Sequence, residues 1–493
     1  MVTIIILLLF LFCGLLIAYG KVDLLFWISL MMFFDPGGFA LIYLKASLLG
    51  RLSISDVSIV FILIAFFIKY KRTLSLKLIS KDFHRLNLRI LIFLFIPFLL
   101  LYGLIMPVIY GYSDPFMFIV KNRVTFYGAI LLPLTYIFHY HDDRNYFLRV
   151  IIYSAAIVLP LYFITLVSPL KIVPFASMER YEGTGIIRLG LQSYGFIHFS
   201  YPLALVILLV GWNKNMRNTI GPRNLFLFTG ILMAFTYIVS LTRRDLLSML
   251  FTILVIWWLS GKIRKKPLGT YRILMITLPV VLVISLFYVF FPTYLGYYAV
   301  IMKDAILLIF TGMDSQGNTD ARISGTGGLA LALDYIRAHP FFGSGYYPVT
   351  FAQVIDLSGI NDFALAVNDS AEVPIYAVPM RMGLVGILFI LSIYWLIIRA
   401  CRKAIKLIKE NFRIIFIRFY PELILLIFLL ALYISKFTLE FALLGGEFIN
   451  PDSFAINCVL LGIFFASVTK IKQYVDGVKE EQARLVKTIS NNK

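Results

Sequence analysis

Apolar residues in this chain do not alternate, and they do not mark one helical face. They come in nearly unbroken runs of about twenty, the length a helix needs to cross the hydrocarbon of a bilayer. Thirteen runs are read, at 3–20, 22–44, 53–69, 90–110, 124–140, 150–168, 193–212, 224–241, 245–261, 273–291, 376–398, 420–437 and 453–469. Asp35-Pro36-Gly37-Gly38 breaks the second run, and 39–52 is read as interfacial, so twelve to fourteen crossings are expected. Residues 1–20 lack a basic leader and a small-residue cleavage site before Lys21, and read as a retained first helix. The expected fold is an all-α polytopic membrane protein, a single integral membrane domain over 1–493. Its one large external loop, 292–375, is expected to be partly helical.

Charge supplies the sidedness. Of the 45 basic residues, 31 fall in alternate connections: around Lys21, 69–89, 144–149, 214–223, 262–272, 399–418 and the tail 470–493. Lys and Arg are retained on the cytoplasmic side of membrane proteins, so this set is read as cytoplasmic, the C-terminal tail included. Composition agrees. The 493 residues are 60% hydrophobic and only 14% charged, against roughly a quarter charged in soluble domains. A soluble enzyme, a secreted disulfide scaffold and a transcription factor are excluded together. The net charge of +19 is then mostly topogenic, and nucleic acid is not an expected partner. Cys13, Cys401 and Cys458 stand alone in or beside apolar runs and read as buried small hydrophobes.

Fourteen cations break the charge rule: Lys45, Arg51, Lys121, Arg123, Lys171, Arg180, Arg188, Arg243, Arg244, Lys303, Arg322, Arg337, Arg381 and Lys436. Nine of them are Arg, whose planar fork suits bidentate capture of phosphate or carboxylate. Arg188 precedes the seventh run, Arg243 and Arg244 crowd the turn between the eighth and ninth, and Arg381 lies inside the eleventh. A cation at membrane depth usually faces a cavity or a partner. For any single Arg, snorkelling to headgroups is the plainer reading.

The loop 292–375 changes composition, with Gly, Asp, Ser and Asn replacing Leu, Ile and Phe. A loop this long is usually functional or disordered. Leu329–Ala338 is apolar at helical spacing and predicts a helix packed on the membrane domain; His339-Pro340 ends it, and Gly343-Ser344-Gly345 permits a sharp turn. Most loop acids read as solvated surface. Asp369 and Glu372 differ: they are three apart, directly before the eleventh run, and share a face if that stretch is already helical. A carboxylate held there beside aromatics suits a general base toward a sugar hydroxyl. The sequence carries no P-loop, HExxH, His/Cys metal cluster or nucleophile elbow, and neither a metal nor a cofactor is expected.

Four stretches, taken together, resemble the bacterial O-antigen polymerase and O-antigen ligase superfamily, integral-membrane glycosyltransferases of the GT-C type. Arg188-Leu189-Gly190 through Pro202 is similar to an Arg-x-Gly segment opening a span. Leu241-Thr242-Arg243-Arg244-Asp245 is similar to a Thr-x-Ser-Arg-Gly turn, with Arg244 on the family's arginine. Arg322, an apolar helix and HPFFGSG at 339–345 resemble the start of the large outer loop, and GLVG at 383–386 the glycines entering the next span. Arg243 stands where the family often has Ser, and Asp245 where it often has Gly. Ligases carry a His about eleven residues before the span-entry glycine; here Glu372 stands eleven before Gly383, which favours the polymerase side.

The resemblance implies location in the bacterial inner membrane, and a substrate glycan built on undecaprenyl pyrophosphate. A growing chain leaves its lipid pyrophosphate for a sugar hydroxyl of another lipid-linked repeat unit, in contact with membrane lipid and with a chain-length regulator protein as a further partner. Arg188, Arg244 and Arg322, with Arg180 and Arg243 behind them, would bind the pyrophosphate, and Glu372 or Asp369 would orient or deprotonate the acceptor. Two alternatives stay open. A ligase would use the same arginines to move polymer onto lipid A-core. A flippase or other transporter would need charges along a central path, whereas here the mid-span charges are few.

Overall fold

A computed structural model describes residues 11–34, 54–70, 95–109, 123–167, 176–180, 187–191, 196–239, 243–264, 328–343, 374–435 and 451–491, with the single positions 285 and 303. Among them the chain is almost wholly helical. In order the elements are α1 (Val22–Phe34), α2 (Ile54–Tyr70), α3 (95–109), α4 (Arg123–Tyr140), α5 (Tyr146–Val167), β1 (Ala176–Arg180), β2 (Ile187–Leu191), α6 (Ser200–Val210), α7 (Arg223–Val239), α8 (Arg243–Arg264), α9 (Gly328–Ala338), α10 (Pro374–Arg418), α11 (Tyr420–Ser435) and α12 (Pro451–Asn491).

Among the described residues, three helical stretches are long and apolar enough to cross a membrane: Tyr146–Ile164, Val378–Arg418 and Phe454–Glu481, with mean hydropathies of 2.1, 2.3 and 1.9. Four shorter apolar helices accompany them, at Val22–Phe34, Phe196–Val210, Phe251–Ile263 and Tyr420–Ser435. The expected loop helix is present as α9, which packs its Ala332 against Met380 of α10. The three cysteines are buried, as expected of small hydrophobes. One departure from an all-helical chain is the antiparallel hairpin β1–β2, which lies where a plain loop was expected before the seventh run. Its residues, Ala-Ser-Met-Glu-Arg and Ile-Arg-Leu-Gly-Leu, are too short and mixed to announce a strand by period. A second departure concerns the tail: α12 continues unbroken from the apolar run through residue 491.

Burial separates inner from outer helices. Residues 454–469 of α12 are buried at every position, and nearly all of α6 and α11 likewise, so these helices are apolar all round and form the centre. Peripheral helices turn large apolar side chains outward: Ile157 and Ile164 on α5, Leu254 on α8, Leu388 and Trp395 on α10. Among the described helices, α4 and α12 share the most extensive contact. A Cβ on Gly462 would lie 2.6 Å from the Leu132 carbonyl oxygen, so only glycine allows the two backbones to approach this far.

The polar contacts set helix directions. Lys69 at the end of α2 pairs with Asp23 at the start of α1, making these two antiparallel. Arg123 Nε meets Asp56 Oδ1 at 2.6 Å, and Tyr127 donates to the same oxygen at 2.9 Å, so α2 and α4 start together. His139 lies 3.0 Å from Ser467, and Tyr140 donates to Gln473, so α12 runs parallel to α4. The result is one end of the bundle where the basic connections gather. There Lys470 donates to the Asp142 carbonyl at 2.6 Å, Arg149 Nε to the Thr219 carbonyl at 2.5 Å, and Tyr420 to the Gly211 carbonyl at 2.6 Å. Asp142 caps α5 at this end, accepting the Arg144 and Tyr146 amides at 2.8 Å each. Burial raises its carboxyl above the ordinary range, against the pull of those two amides.

Candidate functional site

Among the described residues, the cations that break the charge rule are distributed unequally. Arg123 is committed to Asp56 and reads as a structural tie between α2 and α4. Arg337 forms an exposed pair with Asp334 at 3.4 Å within α9, a contact worth little in water. Arg180 and Arg188 lie on adjacent rungs of the hairpin: Arg188 is the Cα partner of Glu179, and Arg180 that of Ile187. The hairpin spans the gap between the far end of α5 and the stretch leading into α6, and β2 packs against α7.

Arg243 and Arg244 are the first two residues of α8. The amides of a helix's first turn have no partner within the helix, and the dipole gives that end a partial positive charge. Two cations there oppose the dipole, and Asp245, the third residue, offsets only part of the excess. The first-turn field favours an anion at this end. Arg322, Asp369 and Glu372 lie outside the described residues, as do Lys45, Arg51, Lys121, Lys171 and Lys436. The structure therefore brings four of the seven expected site residues to one end, in two adjacent pairs.

The same end holds an arrangement that sequence reading missed. Helix α10 is broken at Gly383, whose φ of 58° and ψ of −157° fall in a region essentially restricted to glycine. Breaking a helix frees backbone groups, and three of those beside the break find partners on other segments. Leu384 N donates to the Pro340 carbonyl at 2.9 Å and Val385 N to the Phe341 carbonyl at 3.1 Å, so the turn that ends α9 caps the second half of α10. The Met382 carbonyl accepts from the Tyr102 hydroxyl. Tyr102 is buried and sits in a π-helical turn of α3, Leu101–Ile105, an irregularity frequent at functional sites. Half-buried Arg381 stands two residues before the break.

The two glycines fit each other. A Cβ on Gly343, at φ 69°, would lie 2.6 Å from the Arg381 carbonyl oxygen; one on Gly383 would lie 2.6 Å from the Gly343 nitrogen. HPFFGSG and GLVG, separate motifs along the chain, are thus two halves of one backbone junction. The turn at Gly343 and the glycines at 383–386 were visible in sequence, but nothing there marked Tyr102 or said that the two turns meet.

No protein-family model matches this chain, and no curated protein matches it. The four motif stretches and the geometry at the far end of the bundle are what its function is read from.

Proposed function

We propose that this protein is a membrane glycosyltransferase that polymerises a polyprenyl-pyrophosphate-linked glycan at the outer face of the bacterial inner membrane. It moves the growing chain from its lipid pyrophosphate to a lipid-linked repeat unit. The observation that carries this reading is the pairing of Arg243 and Arg244 at the start of α8. Two cations on the positive end of a helix make sense electrostatically around a doubly charged anion, and a pyrophosphate is such a group. The hairpin with Arg180 and Arg188 at the same end supplies further positive charge.

The rest of the reading follows from the chemistry. Apolar side chains turned outward on α5, α8 and α10 are what a lipid-facing surface requires, and twelve to fourteen crossings are proposed for the whole chain. The gathering of basic connections at one end supports a cytoplasmic position for that end and for the C-terminal tail. The arginines then face outward. As the glycosyl bond breaks, negative charge builds on the departing pyrophosphate, and fixed guanidinium groups in a water-poor setting stabilise it. Glu372 or Asp369 takes the proton from the acceptor hydroxyl, and that oxygen forms the new glycosidic bond. A Glu372→Gln enzyme is expected to extend purified lipid-linked repeat units about 10²–10⁴ times more slowly, the usual contribution of a general base. A normal rate would remove Glu372 from that role.

Deleting the gene in its host separates the readings. Loss of polymer, with single-repeat surface glycan remaining, supports the polymerase. Long polymer stranded on undecaprenyl would identify a ligase, and repeat units trapped on the cytoplasmic side a flippase.

A further inference from the structure

Three backbone irregularities meet at one point: the π turn at Tyr102, the left-handed turn at Gly343 and the break at Gly383. Any one of them would cost free energy in isolation. Here each compensates another. The carbonyl freed at Met382 takes the Tyr102 hydroxyl, the amides freed at Leu384 and Val385 take the carbonyls of 340 and 341, and the glycine pair lets the backbones touch. Non-helical backbone at membrane depth is tolerated only where protein or an aqueous cavity satisfies it. At this junction the protein itself satisfies the Leu384 and Val385 amides and the Met382 carbonyl.

Its place in the chain gives it consequence. The polypeptide leaves the junction at Gly343 and returns on α10, which starts at Pro374 and reaches the break nine residues later. Arg381 lies on α10 two residues before the break. We infer that Tyr102, Gly343 and Gly383 are positioning residues: together they hold Arg381 and the second half of α10 in register with the proposed transfer site. This rests on the polymerase reading for its substrate, and on the junction's own geometry for its existence. Tyr102 touches no reacting group. It acts by holding the Met382 carbonyl, and through it the start of the second half of α10.

The test uses the full chain in nanodiscs and two readouts. Hydrogen exchange at the Leu384 and Val385 amides reports the junction directly. These amides should be protected in the parent and exchange about tenfold faster in Gly343→Ala, whose new Cβ displaces the turn, with amides of the 454–469 core unchanged. Unprotected amides in the parent would overturn the junction. Should Gly343→Ala fail to accumulate, Tyr102→Phe keeps the ring and removes only the hydroxyl, and faster exchange at the same two amides is expected. Extension of lipid-linked repeat units is the second readout: Tyr102→Phe should lower kcat about tenfold and leave the donor KM unchanged. If exchange rises while kcat and KM both stay at parent values, the positioning role is overturned and the polymerase reading stands. If the parent itself extends nothing, the polymerase reading falls and takes the positioning role with it, while exchange still judges the junction.

Discussion

Arg244→Ala is expected to abolish long-chain polymer while the protein still inserts and accumulates to parental levels. The substitution removes a cation from the second position of α8 and adds Ala, the best helix former, so the helix itself gains nothing to destabilise it. On the polymerase reading, what is lost is charge beside the departing pyrophosphate. Removing one preorganised donor of this kind costs roughly 10²–10³ in rate, enough to collapse a product that depends on many successive transfers. Arg244→Lys should recover only part of the loss, because an ammonium is a point charge and cannot offer two parallel donors. Arg188→Ala and Arg322→Ala are expected to act in the same direction. Unchanged polymer length on a gel in all three strains would end the pyrophosphate-site reading.

Lys470→Met is expected to be the most destabilising single substitution at the basic end. Lys470 joins three elements: its Nζ donates to Glu422 Oε1 at 3.2 Å on α11 and to the Asp142 carbonyl at 2.6 Å before α5, from its place on α12. The two side chains are only 12% and 6% exposed. Their mutual attraction largely offsets the desolvation of both, so the pair itself contributes little net stability. Removing one member is different, because Glu422 would stay buried without its counter-charge, at a cost on the order of 3–5 kcal/mol. Lys470→Met should therefore unfold at markedly lower temperature in detergent, and the double variant Lys470→Met/Glu422→Gln should recover most of the loss. A single variant as stable as the parent would show that water reaches Glu422 freely.

The contrast between these two experiments follows the division of charge along the chain. At the basic end the polar contacts are structural, tying helix ends and carbonyls together, and damage there is read as stability. At the far end Arg180 and Arg188 lie on a hairpin and Arg243 and Arg244 on the first turn of α8, and on the polymerase reading damage there is read as turnover. Arg123 is the instructive exception. By sequence it belonged with the unexplained cations, yet its 2.6 Å contact with Asp56 makes it a structural tie. Nothing in the 67 positions separating the two residues could have announced that pairing.

Hydropathy and charge, read along the chain, were enough for the helical class, for the positions of most apolar helices and for the division into basic and non-basic ends. Those properties are summed over runs of about twenty residues, and no tertiary contact is needed to see them. The helix at 328–338 was legible for the same reason: its apolar period is local. The hairpin was not, because ten residues of mixed character carry no strand period and are held by pairing between segments. The break at Gly383 and its capping by 340 and 341 were beyond sequence altogether. A glycine in an apolar run is compatible with a continuous helix, and which carbonyls satisfy the freed amides depends on a turn some forty residues away. Local pattern decided which segments are helices. Only the folded chain decided that two glycine turns and a tyrosine would meet, because partners for freed backbone groups are chosen by packing across the bundle.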